Sequence, residues 1–374
     1  MSATHSPLPD SYESLFSRAE SLIQAGDIES GISIHYRLVE RLNRLSAKVL
    51  QRRPDLRDMH RQARLNLSAL LRLQGRYAEA IEVAEVLLET HPDETDVWLT
   101  DLAILRVAKG EVDKGLTELK SLAEKHPDEP DRWLVLGNES RIEGRLEESQ
   151  VALDRALVAA GPSDSEALAE AHYQRFQLFK ALGELDNAAA AWQAAYETDE
   201  RVGTTIREVY TMFLDAGRYG EAERYISRDT NPLQKTFYRG QLAQLTGNPG
   251  KARQEWQAAA DLNPDDYEYG HDCWVEAQLR LGDSESALSW LQESLRQHGT
   301  PRLFVLSGIG WAMRKDTEVA GALFQQAINL QRWTRPPKQK LDGSDWRLLN
   351  ELVSDDEVKA PLKSYFAIVE TLWG

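Results

Sequence analysis

Apolar residues recur along the chain at the three- to four-residue spacing of amphipathic helices, and the helical stretches come in pairs joined by short polar turns. Each turn contains a glycine, followed five positions later by a small residue in the next apolar stretch. The turn glycines are 30 to 39 residues apart and lie at Gly75, Gly110, Gly144, Gly183, Gly217, Gly247 and Gly282. Gly26 and Lys315 occupy the same place in less regular units. The pattern predicts an all-α stack of about eight to nine helix pairs.

The glycine and the small residue each have a physical reason. A glycine can end a helix with a positive φ because it has no Cβ to clash with the backbone. A small side chain five residues later lets the second helix of a pair lie close to the first. These small residues are Ala80, Gly115, Ala188, Ala222, Ala252, Ala287 and Ala320. We therefore expect them where the two helices of a pair touch.

Three segments depart from the regular repeat. In the first unit the second helix is predicted over residues 29–51, which is unusually long, and Pro54 is expected to stop it. The polar stretch 161–166 lengthens one repeat by five residues, and the stretch 227–232 lies in a repeat that is four residues short. The first stretch is expected to be an insertion that extends a turn, and near the second we expect the stack to bend or break register.

The end of the chain is predicted to be a cap. Two short helical patterns cover residues 344–352 and 355–372, and Ser354 with Glu357 three residues later forms a capping-box signature for the second. A repeat stack needs a terminal element to cover its last apolar face. The residues expected to do so are Trp346, Leu349, Tyr365, Phe366 and Trp373.

These positions resemble the tetratricopeptide repeat family over about residues 61–332. The stretch WLVLGNESRIEGRLEESQVALDRAL agrees with the family pattern at Trp133, Leu136, Gly137, Gly144, Leu153 and Ala156. The stretches GRYAEAIEVAEVLLETHPDE and GNPGKARQEWQAAADLNPDD agree with the second helix and its closing proline. The resemblance implies a right-handed superhelical solenoid. We expect a flexible segment at 1–10, a divergent helical pair with a basic face at 11–60 and a helical cap at 333–374.

Composition narrows the function. Apolar runs are too short for a membrane span, and the first residues lack the basic start and apolar core of a signal peptide. Cys273 is the single cysteine, which excludes a disulfide framework and favours a cytoplasmic protein. Phosphate-binding glycine loops, nucleophile elbows and paired-histidine zinc motifs are missing from the sequence. We therefore expect no enzyme, no catalytic residue, no metal and no cofactor.

Two groups of residues invite a chemical interpretation that the helical pattern disfavours. His271, Asp272 and Cys273 are adjacent, but neighbours on a helix point about 100° apart and cannot converge on one atom. Cys273 is therefore predicted to be a packed thiol. Most of the ten tryptophans fall at packing positions, and those assigned to the core are Trp133, Trp192, Trp256, Trp274 and Trp290.

The family resemblance places a binding groove on the concave face formed by the first helix of each pair. It assigns to that face Asn138, Arg141, Tyr173, Gln177, Arg207, Thr211, Phe237, Gln241, Asp272 and Glu276. Such a mixture of amides, aromatic rings and charges suits an extended peptide. Chaperone-binding members grip a terminal carboxylate with lysines and asparagines, and here only Asn138 fits that set. A carboxylate clamp is therefore disfavoured.

Charge is distributed unevenly. Residues 30–64 contain nine Lys and Arg against three acidic residues, whereas the whole chain has a formal charge of −16. Arg37, Arg41, Arg44 and Lys48 are predicted to share one face of a helix, which either pairs with the chain's own acidic repeats or contacts an acidic partner or a second copy.

The leading prediction for function is a scaffold or adaptor that binds a protein or peptide partner along the groove. The alternatives are an accessory subunit of a separate enzyme or defence system and, less favoured because of the acidic charge, an RNA-binding repeat protein.

Overall fold

The computed structural model describes residues 11–24, 27–331 and 339–367. Within these ranges the chain forms twenty-one α-helices, no β-strand and one isolated parallel bridge between Leu341 and Phe366. The all-α repeat class is confirmed. The predictions made for residues 1–10, Gly26 and Trp373 lie outside the described residues.

The α-helices follow one another along the chain with short connections. They are α1 (Tyr12–Gln24), α2 (Ile28–Asn43), α3 (Ala47–Arg52), α4 (Pro54–Leu73), α5 (Tyr77–Thr90), α6 (Thr95–Lys109), α7 (Val112–Lys125), α8 (Pro130–Ile142), α9 (Leu146–Ala160), α10 (Ser165–Leu182), α11 (Leu185–Thr198), α12 (Ile206–Asp215), α13 (Tyr219–Arg228), α14 (Pro232–Leu245), α15 (Pro249–Ala260), α16 (His271–Leu281), α17 (Ser284–His298), α18 (Pro301–Met313), α19 (Thr317–Gln331), α20 (Gly343–Leu352) and α21 (Asp356–Leu362).

The turn inside each regular pair has the predicted backbone conformation. All seven glycines identified from the repeat, from Gly75 to Gly282, have φ between +67° and +99°. Lys315, in the same slot of the α18–α19 pair, has φ +66° although it carries a side chain. The following amide closes the turn on a carbonyl five residues back, as between Arg218 N–H and Phe213 O at 2.9 Å.

Close helix contact explains the small residues of the repeat. The six alanines are fully buried, and a Cβ added to Gly115 would lie 2.5 Å from Cγ2 of Val107 on the neighbouring helix. A second glycine has the same role from the first helix: a Cβ on Gly240 of α14 would lie 2.5 Å from the indole ring of Trp256 on α15. The positions predicted for helix contact are therefore confirmed.

The long helix predicted over residues 29–51 is wrong. It is two helices, α2 and α3, interrupted at Arg44–Ser46, because the Ser46 side chain accepts a hydrogen bond from Val49 N and starts a new helix. Pro54 does not end a helix but occupies the first turn of α4, where a missing N–H is harmless.

The C-terminal cap is present but differs in detail. The residue that caps α21 is Asp355, which accepts from Glu357 N, and not the predicted Ser354. The helix ends at Leu362 rather than continuing toward residue 372, and a 3-10 turn leads to Phe366, which bridges to Leu341. Leu349 and Phe366 are buried against α18 and α19, with Trp346 and Tyr365 partly buried beside them. These contacts match the predicted covering of the last pair.

The chain divides into two compact units, residues 1–159 and 160–374. The first has a core built on α1, α2, α4 and α5, with Leu38, Leu42 and Leu67 fully buried. The second has an aromatic core around Trp192, Tyr210 and Phe213, followed by an aliphatic core that ends at the cap.

Candidate functional site

The polar side chains predicted for the groove lie on the first helices of their pairs. Tyr173 and Gln177 are on α10, Arg207 and Thr211 on α12, and Gln241 on α14. We call this side of the second unit, formed by α10, α12, α14, α16 and α18, the first-helix face. In the first unit Asn138 and Arg141 lie on α8, where Arg141 Nη2 donates to Asn138 Oδ1 at 2.8 Å.

Glu208 on α12 organises the contacts between α10 and α12. Tyr173 Oη donates to one carboxylate oxygen at 2.6 Å, while Gln177 Nε2 and Lys180 Nζ donate to the other at 2.8 Å. Burial alone would raise the pKa of Glu208, but these three donors hold it below its ordinary value. The two predicted residues on α10 therefore act as bridges between first helices.

Arg207 joins three first helices. Its guanidinium binds Asp272 on α16 through two hydrogen bonds, Nη1 to Oδ1 at 3.0 Å and Nη2 to Oδ2 at 2.6 Å. Its Nε donates to Tyr238 Oη on α14 at 3.0 Å. Burial works against ionisation of Asp272, but the facing guanidinium holds its pKa below the ordinary value. This forked pair spans 65 positions of sequence.

A second group of charges joins α16, α18 and α20. Arg302 on α18 donates to Glu276 at 2.6 Å and to Asp345 at 2.5 Å. Glu276 also accepts from Arg280 at 2.9 Å and from Gln241 at 3.1 Å. The cap is thus attached to the repeats by ion pairs as well as by apolar packing.

Two predicted groove residues use their side chains for contacts inside the repeat. Phe237 is 2 % exposed and packs in the core with Trp256 and Ala252, so its assignment to the groove surface is wrong. The hydroxyl of Thr211 donates to its own helix, at Arg207 O 2.8 Å away. The residue of α14 that does lie on this face is its neighbour Tyr238, which contacts Arg207, so the predicted position was wrong by one residue.

A cleft opens at the N-terminal ends of the first helices, beside Arg207. We call it the Arg207 cleft. It has a volume of about 860 Å³ and is formed by the ends of α12, α14, α16 and α18, by α17 and by the loop before α16. Its lining residues are Arg207, Gln234, Asp265, Tyr267, Glu268, Tyr269, Gly270, His271, Asp272, Trp290, Glu293, Ser294, Thr300, Arg302 and Leu303.

Aromatic rings form part of the cleft wall. Trp290 on α17 is only partly buried, and its ring lies 5.3 Å from that of His271 and 5.8 Å from that of Trp274. Its indole N–H donates to Asp265 Oδ1 at 2.9 Å. His271 Nε2 hydrogen-bonds to Tyr267 O at 2.8 Å, which ties the loop to α16. The core assignment of Trp290 is therefore only half right, since the ring also lines the cleft.

Several site residues could not be recognised from the sequence. Glu208, Tyr238, Arg302 and Asp345 complete the ion-pair groups, but their partners lie 26 to 43 positions away. A signal for two of them did exist: Glu208 and Tyr238 are direct neighbours of predicted residues on the same first helices.

The predicted basic face does not lie on one helix. Arg37 and Arg41 belong to α2, Arg44 is the residue that ends it, and Lys48 lies on α3. Arg37 and Lys48 are exposed, Arg44 pairs with Glu40 at 2.6 Å, and the guanidinium of Arg41 lies 5.0 Å from the Tyr12 ring centre. The prediction that all four cations lie on one helix is therefore wrong, because Lys48 belongs to α3 whereas the three arginines lie on α2 and its C-terminal residue.

Cys273 is a packed thiol, as predicted. It is 1 % exposed, and burial raises its pKa well above the ordinary value. The adjacent His271 and Asp272 make separate contacts with Tyr267 and Arg207. Across the described ranges, no three His, Cys, Asp or Glu side chains are grouped so that they could hold a metal ion. Nor does any described helix combine the length and apolar character required to cross a bilayer.

Comparison with known proteins gives two family matches. Residues 42–95 and 71–138 each match a model described as tetratricopeptide repeat. No curated protein matches the chain.

Solved structures match at low identity. A tetratricopeptide repeat protein from Parabacteroides merdae is 16 % identical, with 71 % of this chain and 96 % of that chain covered and a TM-score of 0.43. The human IFIT1 dimer with m7Gppp-AAAA is 13 % identical, with coverages of 86 % and 72 % and a TM-score of 0.41. Pseudomonas aeruginosa pilF is 19 % identical, with coverages of 54 % and 91 % and a TM-score of 0.34.

Proposed function

Because the chain belongs to the tetratricopeptide repeat family, we propose that it is a non-catalytic scaffold that binds an extended segment of a partner protein at the Arg207 cleft. Repeats of this family serve as protein-interaction modules. The first-helix face of the second unit supports this position, because hydrogen bonds between successive first helices connect α12, α14, α16 and α18, whose ends form the cleft.

The observation that carries the proposal is the Arg207 cleft itself. Most polar groups elsewhere on the first-helix face are already hydrogen-bonded to one another, as are Tyr173, Gln177 and Glu208. Such a surface is rigid but has little bonding capacity left for a ligand. The cleft adds a concave volume of about 860 Å³, which lies in the range of ligand sites, and its lining combines aromatic rings with polar groups.

A crosslinking experiment tests the proposal. The experiment uses two variants that carry the photoreactive residue p-benzoylphenylalanine. In the first it replaces Glu268, which is exposed at the cleft, and in the second it replaces Glu223, which is exposed on the second helix α13. Illumination in nuclease-treated extract of the native organism should give a discrete protein adduct from position 268, and excess unmodified chain should suppress it.

The position 223 variant is the matched control, because it differs only in the surface that carries the label. Adducts at 223 with none at 268 would move the binding surface to the second helices. The same adducts at both positions would show that proteins in the extract contact this chain without a defined binding site. Either result contradicts the proposal.

A further inference from the structure

We propose that the Arg207 cleft binds a positively charged side chain, lysine or arginine, presented by an extended peptide. The inference rests on the proposed function, and it adds the chemical class of the segment that the scaffold recognises. It depends on three features of the cleft: arginines that are already neutralised, a carboxylate with no partner among the described residues, and an aromatic wall.

The arginines of the cleft are already paired with carboxylates. Arg207 forms its forked pair with Asp272 at 2.6 and 3.0 Å, and Arg302 is held between Glu276 and Asp345 at 2.6 and 2.5 Å. An anion entering the cleft would have to compete with these carboxylates for the positive charge of the two guanidiniums. It would also meet their negative charge.

Carboxylates outnumber guanidiniums along the cleft. Four carboxylates and two guanidiniums line it, so its formal charge is −2 with neutral histidine. Glu268 is exposed and forms no ion pair or hydrogen bond with the described part of the chain. Asp265 accepts one hydrogen bond, from the indole of Trp290, and keeps further acceptor capacity. Either carboxylate can therefore accept a hydrogen bond from an incoming ammonium or guanidinium.

The aromatic wall favours the same ligand. Trp290 and Tyr267 line the cleft and are each only partly buried. A cation above an aromatic ring is stabilised by about 0.5–1 kcal/mol at exposed sites and by more where water is excluded. An aromatic ring combined with a facing carboxylate binds a lysine or arginine by both its charge and its apolar stem.

Peptide binding tests the inference without knowledge of the natural partner. The probes are fluorescein-labelled ten-residue glycine–serine peptides that carry three lysines, three glutamates or no charge, measured by fluorescence polarisation at physiological salt. The lysine peptide should bind at least about tenfold more tightly than the glutamate peptide. Glu268→Lys should weaken lysine-peptide binding by about tenfold, because it removes an attraction and adds a repulsion.

The control separates a site from general attraction to an acidic protein. Glu223→Lys makes the same charge change at an exposed position on α13 and should alter binding by less than about twofold. For a local probe, all ten tryptophans are replaced by 5-fluorotryptophan, and the ¹⁹F resonance of Trp290 is assigned by its loss in the variant Trp290→Phe. This resonance should shift when the lysine peptide is titrated in.

Three results would overturn the inference: equal losses from the two lysine variants, equal or tighter binding of the glutamate peptide, or a Trp290 resonance that does not move. If position 268 still crosslinks a partner in extract, the proposed function stands while the cationic specificity fails. If no partner crosslinks there although the lysine peptide binds as expected, the proposed function fails alone.

Discussion

The close contact between α14 and α15 gives a sharp test of the repeat packing. Gly240 on α14 faces Trp256, and an added Cβ would lie 2.5 Å from both Cδ1 and Nε1 of its ring and 3.2 Å from Ala252 O. Ala252 and Trp256 are 0 % and 7 % exposed, so neither the ring nor the backbone has open space to move into. Gly240→Ala is therefore expected to force the two helices apart.

The magnitude follows from two opposing effects. Alanine in a helix interior is more favourable than glycine by about 1 kcal/mol. Overpacking of a tight core contact costs about 1–3 kcal/mol, and a rigid indole against a backbone carbonyl belongs near the upper end. Gly240→Ala should thus be about 1–3 kcal/mol less stable than the same substitution at an uncrowded helical glycine.

Gly250 supplies that reference. It lies on α15, is exposed, and an added Cβ would meet only Asn248 Oδ1 at 3.9 Å. Gly250→Ala should leave stability unchanged or raise it slightly. Melting followed by circular dichroism at 222 nm should place the Gly240→Ala midpoint about 1–4 °C below that of Gly250→Ala, because the entropy of unfolding is about 0.8 kcal/mol/K for a chain of this length.

A local probe covers the case in which repeats unfold separately, as repeat proteins can. Amide hydrogen exchange should accelerate in α14 and α15 of Gly240→Ala and remain unchanged in α18 and α19. Equal midpoints and equal exchange in the two alanine variants would refute the argument, because they would show that α14 and α15 are not held at this distance.

Three further predictions concern charge and backbone. The Arg207→Ala and Asp272→Ala double-mutant cycle should give a coupling energy of about 1–3 kcal/mol in urea unfolding, and a coupling near zero would mean that the forked pair is only a surface contact. Burial lowers the pKa of His35 and His60 to about 4, so the unfolded chain binds protons first as the pH drops from about 6.5 to 4, and the free energy of unfolding should fall over that range. The variant His35→Leu should show a weaker pH dependence of the urea midpoint. An unchanged pH profile of the urea midpoints in this variant would contradict the prediction. Lys315→Gly should stabilise the chain by up to about 1 kcal/mol, because glycine adopts the positive φ without strain and only an exposed ion pair with Asp355 is lost. A lower melting point of this variant would show that the ion pair contributes more than the backbone strain costs.

The repeat framework could be predicted because its causes are local. A glycine with positive φ and a small residue five positions later act within one helix pair, so both are visible in a short stretch of sequence. The same reasoning placed Lys315 in a glycine slot, and its φ is +66°. Ser46 shows the limit of this approach, because its capping hydrogen bond overrode a helical pattern that continued through it.

The candidate site could be predicted only in part. Arg207 and Asp272 were both assigned to the groove, but their mutual pairing depends on how α12 and α16 stack, which the periodicity of either helix does not contain. Phe237 was misplaced because a one-residue error on a helix rotates a side chain by about 100°, from surface to core. Trp290 showed only a packing signal, although its ring also lines the cleft.

The turn glycines make the protein suitable for distance measurements by electron paramagnetic resonance. A Cβ added at Gly217, Gly247 or Gly282 would meet no atom within 4 Å, so the constraint at these turns is on backbone conformation and not on space. Lys315 shows that the fold tolerates a side chain with positive φ at such a turn. Since Cys273 is buried, a spin label would attach selectively to cysteines introduced at these turns. Distances between labels at two such turns would then measure the spacing of successive helix pairs in the second unit in solution.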